Sequence, residues 1–557
     1  MSAHNTYATR SHSQVIPWLA HLCLAGVIVI AAMARFYWLR ITPGWYADEG
    51  SDIDIATHIM RGEQQYFAIR HSTLVTARLP LSHLVLAALF RLFGRDILVL
   101  RTLTAACGCL VVILLFVLGR QIWGPGLALL AAALYAIYPQ AVLTSRLGFL
   151  YNQIAVFNFL LFYALWRFVV GGSRWWLVAA CLLASLSLLT NVSGLPMIGF
   201  ITIVLFFTRR PAIRWAVPLI AGLPMVYAAW MMAQAPQAFQ YDAQYIFTRV
   251  GGSWLIRIAY AVWNYKQLLS CDTWFPLGAF GLTLLRPARN RLYTLAFFWY
   301  NLFTTVAGVP AVTGLGSHYM IPLLPWTAVG MAAFVMWAFP RLVAGLEGLY
   351  NRLYVRLPQV WARTRWRAVL WRWGRTWAVG LALFWVLVSP FVAMTVQDGL
   401  APGYAPPEIA QVTVRSICDA ENAIAYVNRH IASDDVVLAP PHVAWMVNGQ
   451  VADFQQAVAY TGGETQNYPS DLDRSRFLFN CSAQNATYAV LWDEWREWAG
   501  EKMPDVDEAF RMIESWPVVY ERGNWQVFAN PRHQADRAPA PSLSAQLRPR
   551  SQRRTFR

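Results

Sequence analysis

Long apolar runs alternate with short polar segments over the first 400 residues of the chain. A helix needs about 20 consecutive apolar residues to cross a bilayer, and several runs reach this length. The pattern predicts eleven membrane spans, at residues 17–39, 98–118, 126–143, 149–166, 175–190, 194–208, 213–232, 272–285, 292–311, 319–339 and 376–397. We therefore expect an α-helical polytopic membrane protein.

Residues 80–94 are apolar but short for a span, and they carry His83 and Arg91. Cytoplasmic loops are rich in Arg and Lys. If 80–94 is an interfacial helix, the arginine-rich loops, above all 341–375, lie on the same side as the N-terminus. The prediction is a cytoplasmic N-terminus in the inner (plasma) membrane. The segments then predicted on the outer side are 41–97, 233–271, 312–318 and 398–557.

The composition changes after residue 397 to that of a soluble domain. Residues 398–530 predict a small extracytoplasmic α/β or α+β domain behind the transmembrane domain at 17–397. Its predicted elements are a helix at Glu421–Ile431, strands at Asp435–Leu438 and Tyr488–Trp492, and a hairpin at Val518–Phe528. Residues 1–16 and the basic tail 531–557 are expected to be disordered. Because the domain is predicted to be outside, a Cys418–Cys481 disulfide is one open alternative.

Hydrophobic residues make up 57% of the chain and charged residues only 13%, against about 25% charged in soluble domains. The formal net charge is +16, which could indicate nucleic-acid binding. The arginines follow the predicted cytoplasmic loops, however, so orientation and contact with anionic membrane lipids explain the excess. We expect no nucleic-acid partner.

Four carboxylates, Asp48, Glu49, Asp52 and Asp54, follow the first apolar run within residues 44–62. A short helix ending at Gly62 would explain them without chemistry. Asp48 would be its N-cap, and the other acids would complement the positive end of the helix dipole. A functional role needs further evidence.

The order Trp45-Tyr46-Ala47-Asp48-Glu49-Gly50, followed by residues 56–62, resembles the first outer loop of the GT-C glycosyltransferases. It is most similar to the protein O-mannosyltransferase and aminoarabinose transferase branch (PMT-type). The similarity covers residues 15–340, and it includes Arg78-Leu79-Pro80-Leu81, Tyr138-Pro139 and His318–Pro325. His318 departs from the arginine that is more common before the tyrosine.

This resemblance implies a GT-C fold and transfer of a sugar from a polyprenyl-phosphate donor to a lipid, glycan or protein acceptor on the outer face. Asp48 would be the general base that acts on the acceptor, and Glu49 would contact a divalent metal ion or cap the helix. Asp48 could also contact that metal. The residues expected to bind the donor phosphate or donor are Arg78, Arg146, Arg249, Lys266, His318 and Tyr319. Each cation could instead be an interfacial residue with its charged group in the headgroup region.

Two other functions stay open at this point. A transporter or flippase of lipid-linked sugars would use ionisable groups near the middle of its spans, whereas the predicted spans contain no Asp or Glu except Asp272, the first residue of 272–285. A scaffold without catalytic activity, binding envelope partners through the outer domain, is the third possibility. The intact acid pair favours the glycosyltransferase.

Overall fold

The structure is a computed structural model that describes residues 17–71, 79–249, 254–272, 274–308, 317–354, 373–374, 376–382, 384–400 and 413–534. The predicted tail at 1–16 lies outside these residues. Of the predicted tail at 531–557, Pro531–Gln534 is helical rather than disordered, and 535–557 lies outside the described residues. The chain forms two compact units. The first comprises residues up to Tyr66 and His71–Ile417, and the second comprises Phe67–Arg70 with the residues from Cys418 onwards.

The first unit is mainly helical, as the apolar pattern predicts. Its helices are α1 Pro17–Phe36, α2 Ala47–Arg61, α3 Pro80–Phe93, α4 Ile97–Val117, α5 Gly119–Trp123, α6 Pro125–Ala136, α7 Pro139–Arg146, α8 Tyr151–Gly171, α9 Arg174–Thr190, α10 Pro196–Thr208, α11 Ile213–Gln234, α12 Pro236–Arg249, α13 Trp254–Cys271, α14 Phe275–Leu282, α15 Ala288–Gly308 and α16 Leu324–Tyr354. A 3₁₀ segment, Ser317–Leu323, precedes α16, and the helical segments Phe384–Val388, Ser389–Met394 and Thr395–Leu400 follow it. The two-residue strands are β1 Trp45–Tyr46, β2 Gln65–Tyr66, β3 Ile69–Arg70 and β4 Thr413–Val414, and β1 pairs antiparallel with β4.

Five described helices are long and apolar enough to cross a membrane, and a sixth span results if α6 and α7 form one bent segment. Proline at the start of α7 removes a backbone donor, and the two helices meet there at 56°. The predicted span 272–285 contains only the eight-residue α14, which at 1.5 Å per residue is about 12 Å long. The total of eleven spans stays a prediction. The helix predicted at 80–94 forms as α3, and it is one of the shorter apolar helices.

Small residues allow α14 and α16 to pack with their backbones in direct contact. A Cβ added at Gly330 would collide with the carbonyl of Gly278, and one at Gly281 would collide with the carbonyl of Gly330. Close approach of this kind replaces hydrophobic driving force as the source of helix association in a membrane. Beside this contact, Trp326 stacks on Phe159 with ring centroids 5.1 Å apart.

The second unit contains a five-stranded mixed sheet in the order β6-β5-β7-β9-β8. Its strands are β5 Val436–Leu438, β6 Gln450–Ala452, β7 Tyr488–Trp492, β8 Val518–Arg522 and β9 Trp525–Ala529. The strands β5, β6 and β7 run parallel, whereas β7, β9 and β8 run antiparallel. The predicted strands and hairpin are present, and the predicted helix is Ile417–His430. The small sheet region therefore agrees with the expected fold class.

The possible disulfide between Cys418 and Cys481 is absent. Cys418 is an exposed free thiol, and its Sγ accepts a hydrogen bond from Asn422. Cys481 is a buried free thiol that donates to the carbonyl of Gln456 over 3.6 Å. Burial raises the pKa of the Cys481 thiol above its ordinary range, which makes it the less reactive of the two.

Candidate active site

The acidic helix α2 begins at Ala47, two residues earlier than a helix with Asp48 as its N-cap would begin. Tyr46, in extended conformation, is the N-cap, so Asp48 lies within the first turn. Glu49 takes the capping role instead, because its Oε2 accepts the backbone N–H of Tyr46 over 2.9 Å. The helix ends at Gly62, whose φ of +84° closes the last turn.

Glu49 is completely enclosed by hydrogen-bond donors. Its Oε1 accepts from Arg101 Nε over 2.7 Å and from the N–H of Gly148 over 2.8 Å. Its Oε2 accepts from Arg101 Nη2 over 2.7 Å and from Tyr46. Both side chains of the Glu49–Arg101 pair are buried, at 1% and 0% exposure. A two-pronged ion pair of this geometry fixes the carboxylate in one orientation.

The remaining donors of Arg101 hold the chain that leads into α2. Its Nη1 donates to the carbonyl of Leu39 over 2.8 Å, and its Nη2 donates to the carbonyl of Gly44. Arg101 belongs to the otherwise apolar helix α4, so its charge is expensive to bury unless it is paired. The pairing with Glu49 and these carbonyls supplies the compensation.

Arg146 makes a second set of contacts to the same approach segment. Its guanidinium donates to the carbonyls of Ala34 over 2.8 Å and Tyr37 over 2.6 Å, and also to the hydroxyl of Thr42. The side chain is fully buried. Arg146 therefore satisfies carbonyls at the end of α1 that have no partner within the helix. Four of its donor contacts are used within the protein, including a longer one of 3.4 Å to the Thr42 carbonyl.

Glu49 does not fit the role of metal ligand that the family pattern allowed. A carboxylate has about four lone-pair sites, and four protein donors occupy those of Glu49. Among the described residues, no group of three or more His, Cys, Asp or Glu side chains could hold a metal ion. Capping and ion pairing account for Glu49.

Asp48 differs from its neighbour Glu49 because it is half-buried rather than enclosed.

The other two acids of the segment, Asp52 and Asp54, lie beyond the first turn of α2. Each is paired with a histidine, so the helix dipole is not its only interaction. Asp52 Oδ1 lies 2.8 Å from His83 Nε2, with both side chains buried. Asp54 Oδ2 lies 3.4 Å from His58 Nδ1.

His58 titrates under two opposing influences. Burial lowers its pKa, but the hydrogen bond and negative charge of Asp54 outweigh this effect. The pKa of His58 is therefore raised above 6.5. The pair stabilises the last turn of α2 when His58 is charged.

A series of aromatic ring contacts connects His318 and Tyr319, the predicted donor-binding residues, to the start of α2. His318 stacks on Phe149 with centroids 5.1 Å apart, and Phe149 meets the ring of Tyr46 edge-on at 5.1 Å. Tyr319 and His318 also both contact Tyr151 at 5.4 Å. The structure thus brings His318 and Tyr319 close to the N-cap residue of the acidic helix.

The structure gives less information on Lys266, Arg249 and Arg78, the other residues predicted to bind the donor. Lys266 lies on α13 with its ammonium 5.7 Å from the ring centroid of Trp263, and it is exposed. Arg249 is the last residue of α12, and its side chain lies outside the described residues. Arg78 lies outside the described residues altogether. Their roles remain predictions.

Arg101 is the important residue to which the sequence analysis assigned no role. An arginine within an apolar run is costly unless it is paired, so it marks a functional or structural contact by default. That signal was present at position 101. Its partner Glu49 is 52 residues away in the sequence, and the contact could not be read from local spacing.

The chain is similar to a known sequence family and to several solved structures. The family described as dolichyl-phosphate-mannose-protein mannosyltransferase matches residues 77–233, while no curated protein sequence matches the chain. ArnT from Cupriavidus metallidurans bound to undecaprenyl phosphate has a TM-score of 0.56 at 16% identity, covering 93% of this chain and 98% of that chain. Its apo state gives 0.57 at 15% identity, with the same coverage.

The apo oligosaccharyltransferase from Archaeoglobus fulgidus has a TM-score of 0.52 at 12% identity, covering 89% of this chain and 73% of that chain. A zinc and sulfate complex of the same oligosaccharyltransferase gives a TM-score of 0.50 at 12% identity, covering 87% and 70%. The GT-C membrane fold that the sequence resemblance predicts is confirmed.

Proposed function

We propose that the protein is a membrane glycosyltransferase that takes a sugar from a polyprenyl-phosphate-linked donor. The acceptor would be a lipid, a glycan or a protein. The donor class is supported by the match to ArnT, which was solved with undecaprenyl phosphate. The matching sequence family is described by a dolichyl-phosphate-linked mannose donor.

The observation that carries the proposal is the different environment of the two adjacent acids. Glu49 is enclosed and neutralised by Arg101, whereas Asp48 is half-buried at the first turn of the same helix. The capping bond and the ion pair prevent α2 from rotating about its axis. Asp48 is therefore held at a defined, half-buried position on the first turn of α2, as preorganised catalysis requires.

In the proposed reaction, Asp48 accepts the proton of an acceptor hydroxyl or amine. The acceptor oxygen or nitrogen forms a bond to the anomeric carbon of the sugar. The bond from that carbon to the phosphate oxygen breaks, and the polyprenyl phosphate leaves with the electron pair. No strong acid is needed, because the phosphate is a good leaving group that requires only cationic or hydrogen-bonding stabilisation.

We assign the donor contacts to Arg78, Lys266, His318 and Tyr319, with Arg249 as a further candidate from the family pattern. His318 and Tyr319 have the strongest support, because ring contacts connect them to Tyr46. Glu49 is proposed as a positioning residue because four protein donors occupy its carboxylate. Arg146 is proposed as a second one because both of its Nη atoms donate within the protein. A bound divalent ion would have to use groups other than Glu49.

We propose the same orientation as the arginine pattern predicts, with the first outer loop and the C-terminal domain outside the cell inner membrane. Nucleotide sugars are absent from that side, which agrees with a lipid-linked donor. The apolar helices support the membrane location.

The test is complementation of a deletion strain with the wild type, Asp48→Asn and Glu63→Gln, followed by mass spectrometry of envelope lipids and glycoproteins. Glu63 is an exposed carboxylate just after α2, so its amide variant is the matched control. We expect a sugar-modified product with the wild type and Glu63→Gln, and none with Asp48→Asn at equal protein level. Undiminished product with Asp48→Asn would exclude the proposed role.

The alternative of a flippase makes a different prediction in the same experiment. A flippase would move the lipid-linked sugar without forming a new glycosidic product. Reconstituted vesicles that show lipid-linked sugar translocation without transfer would favour it.

A further inference from the structure

The residues directly before the acidic helix pair with a strand from much later in the chain. Trp45 and Tyr46 of β1 lie opposite Val414 and Thr413 of β4. Gly44 permits this approach, because its φ is +121° and an added Cβ would lie 2.6 Å from the Val414 carbonyl oxygen. The strand β4 leads within a few residues to Ile417–His430, the first helix after it.

The residues that follow the acidic helix become part of the second unit. Phe67–Arg70 belongs to that unit although it comes from the first outer loop. The N–H of Ala68 donates to Gln456 Oε1 over 3.1 Å, and the carbonyl of Ala68 accepts the N–H of Leu478 over 2.9 Å. Ile69 forms an antiparallel bridge with Phe477. Phe67, Ala68 and Ile69 are each at most 1% exposed, so the second unit holds this segment as part of its core.

Tyr66 connects this segment to the acidic helix. It is the residue before Phe67, and its hydroxyl lies 3.0 Å from the Oγ of Ser51 on α2. Both side chains are buried. Ser51 is three residues after Asp48, which places the two side chains on neighbouring parts of one helical face. The contact between Tyr66 and Ser51 therefore connects Tyr66 to the turn of α2 that carries Asp48.

We propose that Gln456 is a positioning residue for Asp48: it holds Ala68 within Phe67–Arg70, and Tyr66, the residue before this segment, fixes α2 through Ser51. The inference rests on the proposed function of Asp48. Gln456 and Tyr66 are positioning residues in this scheme.

The chain offers matched controls for Gln456. Gln455 is the adjacent residue, is also buried, and its Oε1 accepts the N–H of Asn467 over 3.1 Å. Gln455→Leu therefore removes a comparable hydrogen bond within the second unit without touching Phe67–Arg70. Gln456 also donates through Nε2 to the hydroxyl of Tyr468 over 3.1 Å. Tyr468→Phe removes that contact and leaves the Ala68 bond in place.

The experiment measures hydrogen exchange of residues 47–61 in the full-length protein, together with kcat and KM for transfer. We expect Gln456→Leu to accelerate exchange in α2 and to lower kcat about tenfold, with KM little changed, because a misplaced catalytic group costs turnover. Gln455→Leu and Tyr468→Phe should leave exchange in α2 and kcat at wild-type values.

Tyr66→Phe is the second variant, and it removes only the hydroxyl that meets Ser51. It should lower kcat in the same direction as Gln456→Leu while the second unit stays folded. Unchanged exchange in α2 with Gln456→Leu, or equal effects of Gln456→Leu and Gln455→Leu, would overturn the inference. Hydrogen exchange does not depend on turnover, so the two proposals can fail separately. If Asp48→Asn transferred sugar normally, the proposed function would be wrong. Accelerated exchange in α2 with Gln456→Leu would still support the positioning of α2.

Discussion

Replacement of each acid in the Asp48–Glu49 pair by its amide should separate stability from activity. In Glu49→Gln, the two carboxylate oxygens that accept four hydrogen bonds become one oxygen and one NH₂ group. In either orientation, the NH₂ group faces donors, so two hydrogen bonds are lost. The positive charge of Arg101 also loses its counter-ion in a fully buried site.

The loss of one partner of a buried ion pair costs about 3–5 kcal/mol. Because the two lost hydrogen bonds are part of the same pair, they are included in that figure. Asp48→Asn removes a charge from a half-buried position, where substitutions usually change stability by about 0.5 kcal/mol or less. We therefore expect a large decrease in thermal stability for Glu49→Gln and almost none for Asp48→Asn.

The assay is thermal unfolding of detergent-purified protein, with sugar transfer measured on the same preparations. Asp48→Asn should unfold like the wild type and transfer no sugar. The double variant Glu49→Gln/Arg101→Gln should be less destabilised than the sum of its single variants, because it leaves no unpaired charge. Wild-type stability of Glu49→Gln with loss of transfer would refute the reasoning and assign Glu49 to the chemistry.

Three further predictions follow from particular contacts. Gly330→Ala should destabilise the transmembrane unit, measured as a lower unfolding temperature, because the added Cβ meets the Gly278 carbonyl; Gly345→Ala, where nothing lies within 4 Å, should not. The pKa of His58 is raised in the folded protein, so its stabilising effect is complete below the unfolded pKa and is lost as the pH rises through the folded value; the stability difference between wild type and His58→Gln should be larger at pH 6 than at pH 8.5. Maleimide should label Cys418 in the folded protein and Cys481 only after unfolding, because Cys418 is exposed and Cys481 is buried; labelling of both at equal rates would contradict the burial of Cys481.

The apolar pattern was sufficient to predict the helical membrane fold, because burial in lipid requires whole helices with few charges. It also located α3, and a short run of apolar residues located the strand Tyr488–Trp492 to the residue. The pattern was less successful where backbone chemistry decides the outcome. The break at Pro139 divides a predicted span into α6 and α7, and the loop predicted at 233–271 contains the helices α12 and α13.

The candidate site was predictable only in part, for a related reason. A motif located Asp48 and Glu49, but their difference depends on Arg101 and Gly148, which are distant in sequence. The assignment of Asp48 as N-cap was wrong because Glu49 caps the helix from inside it. Likewise, the hydrogen bond that holds Phe67–Arg70 joins Ala68 to Gln456, which is 388 positions later in the sequence. No local pattern contains that information.

The buried arginines explain why a half-buried aspartate can be held so firmly beside a membrane. Arg35, Arg101 and Arg146 are all fully buried, and desolvating each of them costs several kcal/mol before compensation. Arg35 donates to the carbonyls of Tyr135 and Ala136 at the end of α6, whereas Arg101 and Arg146 donate to the chain leading into α2.

Each arginine thus satisfies backbone carbonyls that would otherwise lack partners away from water. Only Arg101 also has a carboxylate partner among the contacts described for the three, and that partner is Glu49. A lysine, with a single nitrogen, could not bind Glu49 in two-pronged fashion and the approach segment at once. The acid beside Asp48 therefore serves the scaffold through its pairing with Arg101, and Asp48 is the acid of the pair that we propose for the chemistry.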